Sequence, residues 1–209
     1  SSCYFLNLFI FSFSAVGQSN MQTSPKLALN GILGESILLP LKINPGSSVT
    51  KVLWTSKRTG RLIAQFIAGK LEVDLDKDFN NRLQFFKNFT LQIIQLKMQD
   101  RGEYKAQLIT HEGQMIHDYN LEVYERVSTP KIVTDNFTND GTCFISLRCS
   151  VEDRSQVQYN WSSEGGHLPV SGAVLNLTLK PEDYDKAVTC TASNPVSTES
   201  MSLPLSVYC

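Results

Sequence analysis

The sequence has few of the residues on which enzymes and nucleic-acid-binding proteins depend. Only 3 histidines occur among 209 residues, and 19 basic side chains are matched by 20 acidic ones, which leaves a net charge of −1. That balance gives no electrostatic basis for binding nucleic acid. No G-x-S-x-G motif and no phosphate-binding loop are present. The sequence therefore predicts no enzyme, no cofactor, no small-molecule substrate and no nucleic-acid partner.

Metal ligands are equally sparse. The best group is His111, His117 and Asp118, which flank a predicted hairpin tip. Because the tip separates the two histidines, we expect no metal site at these residues.

Cysteine is scarce in the first two thirds of the chain. Of 5 cysteines, only Cys3 precedes residue 140, and the other four are Cys143, Cys149, Cys190 and Cys209. This distribution is hard to reconcile with one uniform domain. The sequence therefore predicts two domains, a first one without disulfides and a second one held by them.

The first 17 residues are typical of a secretory signal peptide. Residues 4–16 are apolar and end at a small-x-small cleavage pattern, Ala15-Val16-Gly17, and the stretch is too short to span a bilayer. We interpret residues 1–17 as a partial signal peptide and the whole chain as a fragment of a longer protein, with the mature part beginning near Gln18.

Four N-x-S/T sequons accompany the signal peptide. In a secreted chain they predict N-linked glycans at Asn88, Asn136, Asn160 and Asn176. Sequons, cysteine pairs and a signal peptide together indicate the cell surface or the extracellular fluid.

Residues 91–106 carry the pattern L-x-I-x-x-L-x-x-x-D-x-G-x-Y, which is typical of strands E and F of an immunoglobulin sandwich. Tyr104 then occupies the tyrosine corner, where its hydroxyl bonds to upstream backbone. Two residues later Ala106 stands where such domains have a cysteine, and Leu41 stands at the partner position, thirteen residues before Trp54. We expect apolar packing of Leu41, Ala106 and Trp54 to replace the disulfide. The alternative is a different β-fold that lacks this disulfide altogether.

The first domain, residues 18–125, is predicted to be variable-type with nine strands. The expected strands are A near 26–30, B at 37–41, C at 52–56, C′ at 62–67, an edge strand and D within 71–86, then E, F and G at 115–124. Arg82 is expected to form a partly buried ion pair with Asp100. The hairpin tip before strand G lies at His111.

The second domain, residues 126–209, is predicted to be constant-type with two disulfides. Cys143 and Cys149 alternate with outward residues on one strand, so both face inward about 20 Å apart and cannot pair with each other. In the immunoglobulin pattern Cys149 pairs with Cys190 beside Trp161. Cys143, at the start of its strand, and Cys209, at the end of the last strand, both lie at the membrane-facing end, so we expect them to form the second disulfide. Residues 203, 205, 207 and 209 are expected to alternate inward on the last strand.

The motifs in their order resemble the ectodomain of the signalling lymphocytic activation molecule (SLAM) family of leukocyte receptors. The resemblance covers nearly the whole mature chain. It is carried by Asn30-Gly-Ile-Leu-Gly-Glu-Ser36, Trp54-Thr-Ser-Lys57, the segment 97–107, Cys149-Ser-Val-Glu152, Tyr159-Asn-Trp-Ser162 and the segment 190–197. It implies a single-pass receptor of the immune-cell surface that binds itself or a related immunoglobulin-family receptor on an opposing cell through its outer domain. The resemblance does not identify the family member.

The binding face is predicted on the sheet formed by strands G, F, C and C′, because the only sequon of the first domain, Asn88, lies between strands D and E. Side-chain alternation places alternate residues of strands C and F on the outer surface. The predicted partner-binding residues are Leu53, Thr55, Gln65, Lys105, Gln107, Ile109, His111, Met115 and His117.

Two alternatives stay open. The chain could belong to a heterophilic ligand or to a secreted or lipid-anchored decoy that binds a related receptor. Separately, basic residues 51, 57, 58 and 61 and acidic residues 72, 74, 76 and 78 form two clusters that could face each other across a two-fold contact, or could simply be solvated loops.

Overall fold

The computed structural model describes residues 21–139, 142–152, 156–163 and 166–208, and these form an all-β structure. The predicted signal peptide, residues 1–17, lies outside the described residues. In the N-terminal half the strands are β1 (Met21–Thr23), β2 (Leu27–Ile32), β3 (Ile37–Leu39), β4 (Val49–Ser56), β5 (Arg61–Ile67), β6 (Lys70–Glu72), β7 (Leu83–Phe85), β8 (Leu91–Ile93), β9 (Gly102–Thr110) and β10 (Gly113–Tyr124). In the C-terminal half they are β11 (Lys131–Asn139), β12 (Thr142–Ser150), β13 (Gln158–Ser163), β14 (Gly166–Ser171), β15 (Val174–Leu179), β16 (Ala187–Ser193) and β17 (Thr198–Pro204).

The N-terminal half contains two sheets. The larger one, which we call the front sheet, has the order β1-β10-β9-β4-β5-β6, with β2 also pairing with β10. The smaller back sheet has the order β3-β8-β7. Strands β1 and β2 both run parallel to β10. The predicted strand A, which is β2, therefore belongs to the front sheet. The predicted strands are present, and β1 is an additional one.

The core of the N-terminal half has apolar side chains at the place where immunoglobulin domains usually have a disulfide, as the sequence predicts. Trp54 lies directly opposite Ala106 on the neighbouring strand, and both side chains are fully buried with Leu41 in one hydrophobic cluster. Tyr119 packs on Trp54 with ring centroids 5.4 Å apart. Leu41, Ala106 and Trp54 thus lie in one apolar core, as predicted from the sequence, and Tyr119 adds a second ring to it.

A buried ion pair holds the turn between β8 and β9. Arg82 Nη1 and Nη2 donate to the two oxygens of Asp100 at 2.7 and 2.9 Å, and Asp100 is 0% exposed. Arg82 also donates to the carbonyl oxygens of Gln95 and Asp78. The pair is present as predicted and is more completely buried than predicted. The bonds to Asp100 raise the pKa of Arg82.

The tyrosine corner is also present. The Tyr104 hydroxyl donates to the carbonyl oxygen of Asp100 at 2.6 Å. Burial raises the pKa of Tyr104, so this hydroxyl stays protonated and remains a donor.

The C-terminal half has two further sheets, with orders β11-β12-β15 and β14-β13-β16-β17. Its buried residues form a second hydrophobic cluster around Trp161. The predicted disulfide between Cys149 and Cys190 is present, and Trp161 lies opposite Cys190 on the next strand. The disulfide predicted between Cys143 and Cys209 involves a residue outside the described part of the chain.

One prediction about the last strand is wrong. Residues 203–209 were expected to continue as an alternating strand, but β17 ends at Pro204 and a 3₁₀ turn, Leu205–Val207, follows. Proline cannot donate a ladder hydrogen bond, so the strand stops there. Leu205 is buried as expected, whereas Val207 is exposed.

Candidate protein-binding face

Side chains of the front sheet alternate between the core and the solvent, and the solvent-facing set forms a regular surface that we call the outer face. On β9, Tyr104, Ala106 and Leu108 are buried, so the residues between them point outward. On β4, Val52 and Trp54 are buried in the same way. Residues directly opposite each other on paired strands share a face, so the pairing register assembles the outer face row by row.

The outer face consists of three rows that cross the strands. The first row contains Asp118, Lys105 and Thr55; the second Ile116, Gln107, Leu53, Gln65 and Glu72; and the third Gln114, Ile109, Lys51, Ile67 and Lys70. Four of these residues are large and aliphatic: Leu53, Ile67, Ile109 and Ile116. They stand among glutamines near the middle of the sheet, so the surface combines apolar contact area with uncharged hydrogen-bonding groups.

Six of the predicted partner-binding residues share this face. The structure brings together Leu53, Thr55, Gln65, Lys105, Gln107 and Ile109, all of which are partly buried. His111 lies exposed at the tip between β9 and β10, at the end of the face. Their placement agrees with the sequence, and their binding role stays a prediction.

Met115 and His117 were predicted to belong to the binding face, but their side chains point into the core. Both residues share the parity of Tyr119 on β10 and point inward; Met115 packs against the core and His117 is 7% exposed. Their outward neighbours are Gln114 and Ile116. The signal was present in the sequence, because residues 115, 117, 119, 121 and 123 keep the period of two of a strand.

The inward position of His117 has chemical consequences. Burial, followed by the nearby Lys42, lowers the pKa of His117 below its ordinary value of 6.5. Asp118 projects from the opposite face of the same strand. His117 and Asp118 therefore cannot act together as metal ligands, and the described residues contain no cluster of three or more metal-ligating side chains.

One end of the outer face is an ion-pair network. Lys57 lies 2.9 Å from a carboxylate oxygen of Glu103 and 3.1 Å from one of Asp118, and Lys26 also bonds to Glu103. The hydrogen bonds from Lys26 and Lys57 hold the pKa of Glu103 at about 2. These charges are solvent-exposed, so the network orients side chains more than it stabilises the fold.

The two charged clusters noted in the sequence pair largely within the chain. Arg58 binds Asp78 at 2.9 Å and Arg61 lies 3.7 Å from Asp76. Each basic residue of these pairs is therefore already opposite an acidic one of its own chain. Among the described residues no carboxylate pairs with Lys51 or Lys105, so these two cations of the outer face are open to a partner.

None of the sequon asparagines lies on the front sheet. Asn88 is exposed in the turn between β7 and β8 of the back sheet, and Asn136, Asn160 and Asn176 lie on strands of the C-terminal half. Glycans at these positions would leave the outer face uncovered.

Comparison with known proteins gives relatives over most of the chain. SLAM family member 5 of Homo sapiens is 34% identical over 207 residues, which cover 90% of this chain and 58% of that protein. SLAM family member 6 of Mus musculus is 28% identical over 210 residues, which cover 96% of this chain and 59% of that protein. The chain is a homologue of SLAM family members.

SLAM family receptors are leukocyte cell-surface receptors of the immunoglobulin type and are not enzymes. The chain spans less than two thirds of the length of these curated relatives. Its described residues include no helix long and apolar enough to cross a bilayer.

The structural comparison agrees on the fold. The CD2-binding domain of CD58 superposes with a TM-score of 0.65 at 18% identity, covering 86% of this chain and 96% of that one. The chain thus has the immunoglobulin-like, all-β architecture that the sequence predicts. No family model matches the chain.

Proposed function

We propose that this chain is extracellular sequence of a leukocyte surface receptor that binds a second copy of itself on an opposing cell. The contact is made by the outer face of the front sheet. The observation that carries the proposal is the composition of that face, with Leu53, Ile67, Ile109 and Ile116 set among glutamines and with every sequon elsewhere. An uncovered apolar centre with a polar surround is the usual anatomy of a protein-binding surface.

The proposal includes a domain layout. Residues 18–125 form a variable-type domain that carries the outer face, and residues 126–209 form a constant-type domain with Cys149–Cys190 and Cys143–Cys209 disulfides. Support for the second disulfide comes from the neighbouring residue, since the Tyr208 carbonyl oxygen lies 3.9 Å from Cys143 Sγ. Support for the layout comes from the two separate hydrophobic clusters. A single-pass membrane anchor would follow the second domain.

Self-recognition suits the charges of the outer face. A two-fold contact sets each residue of the face against residues of the same face in the second copy. The carboxylates at the sides of the face are Glu72 and Asp118; within one chain they bind Lys70 and Lys57, and in a two-fold contact they are available to be shared with Lys51 and Lys105 of the second copy. Such pairs fix orientation more than they add affinity.

A weak contact is sufficient for this function. Between two apposed membranes many receptors meet at once, and the effective concentration converts weak single contacts into strong adhesion. We therefore expect a small interface whose individual bond breaks readily.

The test is binding of multimerised chain to cells that display the same receptor. Ile109→Arg places a charge in the apolar centre and is expected to reduce binding at least tenfold, because an unpaired charge would be buried in the contact. Leu38→Arg is the matched control, because Leu38 is a 48% exposed leucine on the back sheet, and it should bind normally. Full binding by a folded Ile109→Arg chain would move the contact elsewhere. Binding to cells displaying only a related receptor would favour the heterophilic ligand or decoy.

A further inference from the structure

An exposed apolar patch lies on the outer face of the β11-β12-β15 sheet. Phe137 is 65% exposed and Val133 is 58% exposed, although large apolar side chains of soluble proteins are mostly buried. The Phe137 ring stacks on Phe144 of the neighbouring strand, with centroids 4.9 Å apart and planes inclined by 12°. Val133 lies two rows away, beside Arg148, so the Phe137–Phe144 pair is the large apolar surface at this place that no protein side chain covers.

Beside the stacked rings lies a groove of about 310 Å³ with both apolar and polar walls. The polar walls include the carboxylate of Asp135 and the hydroxyl of Ser146. This combination suits a sugar, because the C–H face of a pyranose packs on an aromatic ring while its hydroxyl and acetamido groups bond to polar atoms.

A sequon opens into the same groove. Asn176 and Thr178 both line it, and both are exposed on β15. Asn176 lies directly opposite Ser146, and Thr178 lies directly opposite Phe144. The glycosylation acceptor is therefore one row from the ring pair, within the span of diagonal neighbours on a sheet.

We propose that the first N-acetylglucosamine of an N-linked glycan on Asn176 packs on the Phe137–Phe144 pair and covers the apolar patch. The proposal rests on occupancy of Asn176 by a glycan, which the sequon predicts. The bound sugar gives the exposed rings a contact within the chain. It also keeps the two rings from associating with other molecules.

The other sequons of the C-terminal half are placed differently relative to the ring pair. Asn160 is exposed on β13 in a row with Ser171, Thr191 and Ser200, all of which are polar. Asn136 has the opposite parity from Phe137, and its side-chain amide donates to the carbonyl oxygen of Tyr208. Asn136 also lines the groove, but its amide is held by the Tyr208 carbonyl oxygen, whereas Asn176 lies on the solvent-facing side of the sheet in the row next to the ring pair.

The experiment compares two glycan deletions in chain secreted from mammalian cells. Thr178→Ala removes the sequon of Asn176, and Ser162→Ala removes that of Asn160 as the matched control. A Trp54→Phe background leaves Trp161 as the one tryptophan, so its fluorescence reports the C-terminal half. We expect Thr178→Ala to lower the thermal midpoint by about 4 °C and Ser162→Ala to change it by less.

A second substitution separates the sugar contact from an effect of the residue itself. Phe137→Ser removes the stacking on Phe144 in either chain, so it should lower the midpoint of the glycosylated chain by more than that of the Thr178→Ala chain. Because Phe137 is exposed, the fold tolerates the change. Trimming the glycan to a single N-acetylglucosamine should keep the stabilisation.

Three results would overturn the proposal. One is equal destabilisation by the two glycan deletions, and another is an equal effect of Phe137→Ser with and without the glycan. The third is an intact Asn176 without glycan in peptide mass spectra of the secreted chain.

Discussion

Each half of the molecule has one buried tryptophan at an equivalent position in its core, and the two halves pack this tryptophan by different means. In the N-terminal half Trp54 lies opposite Ala106, and in the C-terminal half Trp161 lies opposite Cys190, which is bonded to Cys149. The first half fills the position with rings and aliphatic side chains, and the second with a covalent bond. The shared register shows that the sandwich geometry does not depend on the disulfide.

The turns that precede β9 in the N-terminal half and β16 in the C-terminal half show a similar contrast. Asp100 Oδ2 accepts the backbone N–H of Lys97 at 2.8 Å, and Asp183 Oδ2 accepts that of Lys180 at 3.1 Å. In the N-terminal half the aspartate also binds the buried Arg82, whereas in the C-terminal half it binds the exposed Lys186. The half without a disulfide thus has the buried ion pair, and the half with the disulfide has a solvated one.

Two tryptophans, one in each half, allow these differences to be measured separately. Trp161→Phe leaves Trp54 as the fluorescent reporter of the N-terminal half, and Trp54→Phe leaves Trp161 as that of the C-terminal half.

The largest effect is expected from Arg82→Met. It leaves the carboxylate of Asp100 buried without a cation and should lower the unfolding free energy of the N-terminal half by roughly 3–5 kcal/mol. Denaturant unfolding followed by Trp54 fluorescence measures this. The matched control is Lys186→Met, which removes the exposed partner of Asp183. It should leave the unfolding free energy of the C-terminal half unchanged. Equal losses in the two halves would show that burial does not distinguish the two ion pairs.

The disulfide should contribute next. Cys149→Ala with Cys190→Ala opens a loop defined by a sequence separation of 41 residues. We expect the C-terminal half to lose roughly 2–4 kcal/mol, because the unfolded chain regains conformational freedom. Trp161 fluorescence in denaturant reports the change, with Trp54 as the internal control. A loss of the same size at Trp54 would contradict the independence of the two cores.

A smaller effect is expected from Tyr104→Phe. The substitution removes the hydroxyl that donates to Asp100 and keeps the ring, so the N-terminal half should lose about 1 kcal/mol. The C-terminal half has Val188 at the corresponding place and holds its corner without this bond. If Tyr104→Phe leaves the Trp54 transition unmoved, the tyrosine corner is not a source of stability in this half.

The smallest effect concerns pH. Because the folded-state pKa of His117 is below 6.5, the unfolded chain binds more protons, and the stability of the N-terminal half should fall as the pH decreases below about 6.5. Unfolding at several pH values between 7.5 and 5 measures the slope. His117→Leu should flatten it, and an unchanged slope in that variant would assign the pH dependence to other groups.

The sequence predicts most of this fold because most strands contain a residue whose burial can be predicted and which fixes the side-chain alternation of the strand. Trp54 and Tyr104 fix the parity of β4 and β9, and the cysteines with Trp161 do so in the C-terminal half. Strand β10 has no comparable anchor near its start, and its outward residues were predicted one position out of phase. The alternation ending at Tyr119 contained the information to correct this.

Other features depend on contacts that no local pattern carries. A register shift between Trp54 and Thr55 sets which residues of β5 reach the outer face. The pairing of Arg58 with Asp78 joins residues 20 positions apart. Stacking of Phe137 on Phe144 requires an antiparallel register of β11 and β12 that sets two outward rings directly opposite each other. These arrangements depend on how the strands pair in the folded protein, which the residue types alone do not determine.

The central claim is that the outer face of the front sheet mediates self-recognition. Its most direct test is sedimentation equilibrium of the glycosylated chain, residues 18–209, over a wide concentration range, beside Ile109→Arg and Leu38→Arg. We predict a reversible monomer–dimer equilibrium that Ile109→Arg abolishes and Leu38→Arg preserves. A chain that stays monomeric at the highest concentration, or a dimer that tolerates Ile109→Arg, would contradict the claim.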